Sequence, residues 1–425
     1  MHIHSKSSPR LTTLPNGIRV ISDHVPGMHS VAIGIWAGVG TRFEDMVHNG
    51  AAHMVEHMLF KGTAKRNALD IAQSIEDVGG HMNAYTSREI TSYHMHMLKD
   101  DIGLALDVLS DMYINSVMPE DEVERERQVI LQEIGMCHDT PDDLVFDNYY
   151  ETAYPGQTLG APILGSANHV QNMRRDDLMG FVQKFYTPRN TVISAAGHVD
   201  HDALVEKVSE VFASLPHDQD YHPKSANYQG GDFRLVKELE QAHFILGFQS
   251  CSRLGRDHYT AQALSTILGG GMSSRLFQEV REKRGLVYSI FSFQSGYQDD
   301  GQFGIYAGTG PESLSEIIPV IADECMKVTH DISDEEVMRA KTQLKSNLLI
   351  GRESMMTRAD QHAKHVVFRG GDFDVQSVID EVDAIDKKAL QTLAVQIFSG
   401  KPTLTAIGPL SGLASYEDIQ HRFSL

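Results

Sequence analysis

The chain has 425 residues, a formal net charge of −20, 41% hydrophobic residues and 22% charged residues. This length exceeds one ordinary hydrophobic core and predicts two or more domains. The acidic balance argues against nucleic acid as a partner, because phosphates would be repelled, and it mildly favours a basic partner. No apolar run approaches the roughly 18–20 residues that span a bilayer, so we expect no membrane-spanning segment.

Cellular location is suggested by the N-terminal residues and the cysteines. The first twenty residues lack the apolar stretch of a secretory signal. The three cysteines lie far apart and suggest neither a disulfide framework nor a CxxC redox pair. A reducing compartment is therefore expected. A bacterial cytoplasm is the first expectation and a mitochondrial matrix is the alternative.

The first predicted elements are a β-rich stretch, SVAIGIWAGVGTR, which begins at Ser30, and a short helix after it. The helix is predicted over Gly50–Phe60, with Asn49 as its N-cap and Gly62 as its C-terminal stop. It contains the string HMVEH. A turn followed by a strand is then predicted in GGHMNAYTSREITSYHMHM, which begins at Gly79. An exposed edge of that strand would suit a peptide held by backbone hydrogen bonds.

The HMVEH string is a candidate metal site. Residues i, i+3 and i+4 share one helix face, so His53, Glu56 and His57 are predicted to point the same way. Two imidazoles at this spacing can hold one Zn²⁺ and leave the carboxylate free to act on water. The string alone is only moderately specific, because the chain has 22 histidines.

The third ligand is predicted on the helix that contains MPEDEVERERQVILQEI, which begins at Met118. Glu133 lies on or beside the buried stripe of this helix, next to Ile130 and Ile134. An ionised carboxylate there costs several kcal/mol without a partner. Glu126 lies two turns earlier on the same side. The alternative for Glu133 is a salt bridge to a neighbouring Arg or Lys.

Most of these patterns recur in the second half. A β-rich stretch begins at Ala242, a long helix with an acidic first turn begins near Ile332, and a helix-to-strand passage begins at Leu390. The polar segment Pro216–Gly231 between the halves is typical of a linker. We predict an α+β protein of two homologous domains, 1–217 and 232–425, joined by a linker at 218–231. Each domain is expected to have a mostly antiparallel mixed sheet with helices on one side.

The repeat also bears on the metal site. Alignment of Val123 with Val337 places Ala340 opposite Glu126 and Asn347 opposite Glu133. The second half has no HxxEH string either. Because the metal-type residues occur together in one half and are absent together from the other, a shared metal-binding role is favoured over separate structural roles.

Three blocks carry a resemblance to a known family: NGAAHMVEHMLFKGT, GGHMNAYTSRE and SSRLFQEVREKRGLVYSIFSF. Over essentially its whole length the chain resembles the pitrilysin-type zinc metallopeptidases, the M16 or inverzincin family. It is most similar to the branch of bacterial processing-type peptidases and the β subunit of the mitochondrial processing peptidase. The resemblance implies the pitrilysin/LuxS-like metallohydrolase fold and two half-shells that enclose a chamber.

The resemblance also implies roles for individual residues. One Zn²⁺ per chain would be held by His53, His57 and Glu133. Glu56 would be the general base that activates zinc-bound water, and Glu126 would support the site. Two further sets are implied: the catalytic pair Arg281 and Tyr288, which closes over the substrate, and the substrate-binding residues Asn83, Ala84 and Tyr85.

The implied function is a zinc-dependent endopeptidase that acts on unfolded peptides or basic presequences. The expected partners are a basic, unfolded peptide and a second subunit, either a copy of this chain or a homologous chain. The alternative is a non-catalytic subunit of a peptidase or respiratory assembly. Such subunits generally lack part of the HxxEH and distal glutamate set, whereas this chain has all of it.

Overall fold

The structure is a computed structural model that describes residues 9–215, 221 and 223–424. These residues form two compact units. The first contains the described residues of Met1–Ile134, Pro162–Pro223 and Leu349–Phe373, and the second contains Gly135–Ala161, Lys224–Leu348 and Asp374–Leu425. No helix among the described residues is long and apolar enough to cross a membrane.

The strands and helices of the first half, in chain order, are β1 (Arg10–Thr13), β2 (Arg19–His24), β3 (Ser30–Ala37), α1 (Ala51–Leu59), α2 (Ala68–Glu76), β4 (His81–Thr86), β5 (Thr91–Leu98), α3 (Ile102–Asn115), α4 (Glu120–Asp139), α5 (Pro141–Ala153), α6 (Ala167–Asn172), α7 (Arg175–Phe185), β6 (Thr191–Gly197) and α8 (His201–Val211). Those of the second half are β7 (Gly231–Val236), β8 (Ala242–Ser250), α9 (His258–Gly269), β9 (Ser289–Gly296), β10 (Gly301–Thr309), α10 (Leu314–Lys327), α11 (Asp334–Gly351), α12 (Met355–Arg369), α13 (Val375–Asp383), α14 (Lys387–Phe398), β11 (Thr403–Gly408) and α15 (Tyr416–Arg422).

Each unit is built on one mixed sheet. The first sheet has the order β1-β2-β6-β3-β5-β4, and the second has the order β7-β11-β8-β10-β9. In the first, only β2 and β6 are parallel, and in the second only β7 and β11 are. Apart from β1, the two sheets therefore have the same topology. The predicted α+β fold with two mostly antiparallel mixed sheets is confirmed.

Both faces of the first sheet are covered, which explains why β3 is apolar at nearly every position. Val31, Ile33 and Ile35 point into the larger core, and Ala32 and Trp36 point into a second core on the opposite face. That second core is closed by α12. In the second unit, α5 covers the corresponding face of the sheet. The sequence predicted helices on one side only, so these two helices are an addition.

The two covering helices come from the opposite halves of the sequence. Helix α5 belongs to the second unit, although it precedes the predicted linker, and α12 belongs to the first unit, although it follows it. The compact units thus differ from the contiguous ranges 1–217 and 232–425 by an exchange of segments. Part of the predicted linker lies outside the described residues. In the described part of the linker, residues 223–230 have no regular secondary structure, and β7 begins at Gly231. The homology of the two halves stays a prediction.

Candidate metal centre

Helix α1 begins one residue later than the sequence predicted. Its N-cap is Gly50, with φ 99°, and not Asn49. Only glycine suits this position, because a Cβ on Gly50 would lie 2.9 Å from the carbonyl oxygen of Leu164. The prediction of Asn49 as N-cap was therefore wrong: its side chain instead donates to Glu44 and to the carbonyl oxygen of Pro162. Gly62, with φ 127°, lies just beyond the helix as predicted.

Glu44 occupies the place of the missing cap. It follows the end of β3 through a 3₁₀ turn at Thr41–Phe43. One carboxyl oxygen accepts a hydrogen bond from the Ala52 N–H at 2.7 Å, and the other accepts from the Gly50 N–H at 3.0 Å. The side chain is 5% exposed. Burial raises the pKa of Glu44 to about 8, although the N–H donors act to lower it.

The three predicted metal ligands lie together within the first unit. Nε2 of His53 and Nε2 of His57 each lie 3.9 Å from the same carboxyl oxygen of Glu133. Among the described residues, this is the one group of three or more His, Cys, Asp or Glu side chains close enough to hold a metal ion. Two ligands of a tetrahedral zinc ion at 2.0–2.1 Å are about 3.4 Å apart. The observed distances are slightly wider, so the group fits a small divalent ion.

The pKa of His53 and the hydrogen bond of His57 also suit a metal site, since a metal ligand must be a neutral imidazole. Burial, assisted by the nearby His57, lowers the pKa of His53 to about 4. Nδ1 of His57 lies 2.9 Å from a carboxyl oxygen of Glu126. A proton on Nδ1 donates this hydrogen bond and leaves the Nε2 lone pair directed towards Glu133. The arrangement therefore selects the tautomer that can bind a metal.

Glu126 is positioned for this supporting role by a second partner. Its other carboxyl oxygen lies 2.8 Å from Nζ of Lys61, and the residue is only 6% exposed. Burial alone would raise the pKa of Glu126, but the hydrogen bonds from Lys61 and His57 outweigh it and lower the pKa. Glu126 is thus an ionised acceptor at neutral pH. The sequence analysis placed Glu126 near the site but did not anticipate Lys61.

Glu56 lies between the two histidines in sequence and on the same helix. Its carboxylate accepts a hydrogen bond of 2.5 Å from the hydroxyl of Thr86, at the end of β4. Burial raises the pKa of Glu56, and the Thr86 hydrogen bond opposes that rise. A carboxylate with a raised pKa, adjacent to the ligand group but not part of it, can accept and return a proton.

The three predicted substrate-binding residues lie on β4, which is the last strand of its sheet, and no described strand pairs with its other edge. Asn83 Oδ1 accepts a hydrogen bond from the N–H of Ala84. The hydroxyl of Tyr85 donates to Asp360 on α12 at 2.6 Å, and Trp36 donates to the same oxygen. Tyr85 is thus fixed against α12. The role of these residues in peptide binding stays a prediction.

Arg281 and Tyr288 both lie in the second unit. Arg281 belongs to a π-helical segment, Phe277–Glu282. Its guanidinium carbon lies 4.7 Å from the ring centroid of Phe277 and 5.8 Å from that of Tyr288. The ring of Tyr288 is 77% exposed. The structure brings the pair together by a cation–π contact, and its action on substrate stays a prediction.

Comparison with known proteins identifies the family of this chain. Residues 19–167 match the family model described as insulinase, peptidase family M16, and residues 172–344 match the model described as peptidase M16 inactive domain. An uncharacterized zinc protease of Streptomyces coelicolor is 38% identical over 96% of this chain and 91% of its own length. One of Bacillus subtilis is 36% identical over 95% and 99%. The chain belongs to peptidase family M16. The predicted membership of the M16 family is thereby confirmed, and the similarity to its processing-peptidase branch stays a prediction.

Solved structures agree on the fold of this M16 family member. A protease from Helicobacter pylori matches with a TM-score of 0.88 and 24% identity, over 95% of this chain and 99% of its own. A chain of complex III2 from Candida albicans matches with a TM-score of 0.87 and 22% identity, over 98% and 100%. At these identities the likeness shows the fold alone. The same fold thus occurs in a protease and in a respiratory complex.

Proposed function

We propose that this protein is a zinc-dependent endopeptidase with one zinc site per chain. The main observation behind the proposal is that His53 Nε2 and His57 Nε2 converge on one oxygen of Glu133. The Glu56 carboxylate interacts electrostatically with His57 and Glu133. Zinc is preferred among divalent ions because curated relatives are named zinc proteases and because a set of two His and one Glu suits it.

The proton transfers are assigned to Glu56. When bound, zinc would supply a Lewis acid that polarises the scissile carbonyl and acidifies water. The Glu56 carboxylate accepts a proton from the attacking water and delivers it to the leaving amide nitrogen. The hydroxyl of Thr86 holds the carboxylate in one orientation. Burial of Glu56 keeps its pKa raised, so that it can give the proton back.

The second unit is proposed to contribute the groups that hold the substrate. Tyr288 would donate its hydroxyl to the oxyanion that develops at the scissile carbonyl. Arg281 would orient Tyr288 through the cation–π contact described above. This assignment is supported by the exposure of the Tyr288 ring and by the family motif.

The proposed substrate is an unfolded peptide, preferably basic, bound along the free edge of β4 at Asn83, Ala84 and Tyr85. The net charge of −20 supports a preference for basic peptides. A second subunit, identical or homologous, is proposed to complete the enclosing chamber. The bacterial cytoplasm is the proposed location, in keeping with the cysteine usage and the bacterial relatives.

The decisive experiment compares zinc-loaded wild type with Glu56→Gln on a fluorogenic, arginine-rich amphipathic peptide. We expect the variant to bind one zinc ion per chain, because Glu56 is not a ligand, and to lose at least roughly 100-fold in kcat. The matched control is Glu76→Gln, the same substitution at an exposed position on α2, which should cleave like wild type.

Two results would count against the proposal. Equal cleavage by wild type and Glu56→Gln would remove Glu56 as the general base. If zinc-loaded wild type cleaves no peptide of any length, the alternative of a non-catalytic subunit of a peptidase or respiratory assembly is favoured. A pull-down of the homologous partner would then follow.

A further inference from the structure

The helix that carries both histidine ligands has no capping side chain of its own. The N-cap position is restricted to glycine by the close approach of the Leu164 carbonyl oxygen, and glycine has no side chain to accept the free N–H groups of the first turn. A helix end that is buried without such acceptors is destabilised. The first turn of α1 therefore depends on an acceptor from another part of the chain.

Glu44 is that acceptor. Both of its carboxyl oxygens are used, one by the Ala52 N–H and the other by the Gly50 N–H and the side-chain amide of Asn49. The Asn49 amide also donates to Pro162 O at 3.0 Å. The carboxyl group thus joins the start of α1 to the turn after β3 and, through Asn49, to the Pro162 segment.

The position of this cap matters for the metal centre, because Ala52 directly precedes the ligand His53. His57 and Glu56 lie on the next turn of the same short helix. The opposite wall of the site, Glu126 and Glu133, belongs to α4. The distance from the two Nε2 atoms to Glu133 is therefore set by where α1 is held, and Glu44 holds its N-terminal end.

We propose that Glu44 is a positioning residue of the metal centre, which fixes the ligand helix α1 through the N–H groups of Gly50 and Ala52. The inference goes beyond helix capping, since it predicts an effect on metal coordination in the folded protein. It rests on the proposed function only in taking His53, His57 and Glu133 as ligands. It does not require that the protein cleave peptides.

The test uses Glu44→Gln in the full chain. Glutamine keeps one acceptor oxygen but replaces the other with an NH₂ group, which cannot accept from an N–H donor. The matched control is Asp45→Asn, the same replacement of a carboxyl group by an amide at the next residue, whose exposed side chain caps a separate 3₁₀ turn. Three quantities are measured: affinity for Zn²⁺ alone, the visible absorption spectrum of the Co²⁺-loaded protein, and amide hydrogen exchange.

We expect Glu44→Gln to bind Zn²⁺ about tenfold more weakly. This is the smallest loss of affinity that is typical when a residue that supports a metal ligand indirectly is replaced. Its Co²⁺ spectrum should differ from wild type, and the amides of Gly50 and Ala52 should exchange roughly tenfold faster. Exchange in β5 should stay unchanged, and Asp45→Asn should match wild type throughout. If Glu44→Gln does not fold, Glu44→Asp replaces it, because its carboxylate is one methylene too short to reach both N–H groups.

The outcomes separate this inference from the proposed function. Faster exchange at Gly50 and Ala52 with unchanged Zn²⁺ affinity and Co²⁺ spectrum would reduce Glu44 to a helix cap and overturn the inference. A wild type that binds Zn²⁺ but cleaves no peptide would end the proposed function and leave the inference standing. A wild type that binds neither metal would overturn both.

Discussion

The two units share one topology but differ in what their corresponding helices carry. In the first, α1 lies between β3 and β4 in the chain and bears His53, Glu56 and His57. In the second, α9 lies in the same way between β8 and β9. The hydroxyl of Ser265 on α9 lies 3.1 Å from that of Ser292 on β9, so two neutral side chains join this helix to this strand. In the first unit, the Glu56 carboxylate on α1 accepts a hydrogen bond from Thr86 on β4.

The long helices α4 of the first unit and α11 of the second show the same contrast in side chains. By the alignment of the two halves, the buried Ala340 and the exposed Asn347 of α11 stand where α4 has Glu126 and Glu133. The second unit therefore folds with small or neutral side chains at these positions. Glu126 is buried at a cost in desolvation, and the fold does not require it. The costly residues of the first unit are best explained by a site that uses them.

The largest effect on Zn²⁺ affinity is expected from removal of the proposed third ligand. Glu133→Ala should weaken Zn²⁺ affinity by at least about 100-fold, because only the two histidines would be left to hold the ion. A competition titration with a chromogenic chelator measures this. Asn347→Ala, at the aligned position of α11, is the control and should leave the affinity unchanged. Equal affinities in the two variants would contradict the assignment of Glu133.

A smaller loss of Zn²⁺ affinity is expected from Glu126→Gln. The neutral amide would accept less strongly from Nδ1 of His57 and would leave Lys61 without its charged partner. We expect Zn²⁺ affinity to fall by about tenfold, measured by the same titration. The matched control is Glu124→Gln, on the same helix but exposed and paired with Arg127. A loss of similar size in the control would assign the effect to the charge of α4 as a whole.

The smallest effect concerns α12 and α5, each of which covers one face of the sheet in its own unit. In the first unit, Asp23 on β2 pairs with Arg352, Arg358 and His362, at 2.9, 2.9 and 3.0 Å. In the second, α5 packs with aliphatic and aromatic side chains such as Tyr149, which lies against Gly247. The first contact includes His362, which is fully buried. The covered face in the second unit has His243 on β8, which is only half-buried and lies 2.9 Å from the hydroxyl of Tyr306.

Mild acid should therefore loosen α12 before α5. Burial lowers the pKa of His362, helped by Arg352 and Arg358 and opposed by Asp23. Below the unfolded pKa of about 6.5, the unfolded chain binds a proton that the folded chain does not, so this stability is full above pH 6.5 and declines as the pH falls.

Hydrogen exchange at pH 7 and pH 5.5, corrected for intrinsic rates, measures this difference. Amides of α12 should lose protection relative to those of α5, and the thermal midpoint should fall by a few degrees. His362→Gln should lose less protection than wild type over this change of pH. Any remaining loss is expected from His365 and His94, whose pKa values are also lowered by burial. Equal loss of protection in both helices would contradict the prediction that acid loosens α12 before α5.

The candidate metal ligands and the two sheets of similar topology could be predicted because their signals are local or periodic. The HxxEH spacing places three side chains on one helix face, and the apolar stripe of α4 identifies Glu126 and Glu133. Glu44 could not be found in this way, because its partners are backbone N–H groups brought near by the turn after β3. Asn49 was misassigned because sequence does not reveal the approach of the Leu164 carbonyl oxygen. The exchange of α5 and α12 was not predicted, because the amphipathic pattern of a helix does not tell which of the two sheets the helix will cover.

This exchange has a consequence for how the protein is made. The ribosome completes β1–β6 of the first unit before it reaches α12, which must still cover Trp36 and the neighbouring apolar side chains. At about 5–20 residues per second, that delay is on the order of 10–30 s. During this time the nascent sheet exposes a hydrophobic face next to the translating ribosome. The N-terminal half is therefore expected to need a chaperone until the rest of the chain emerges.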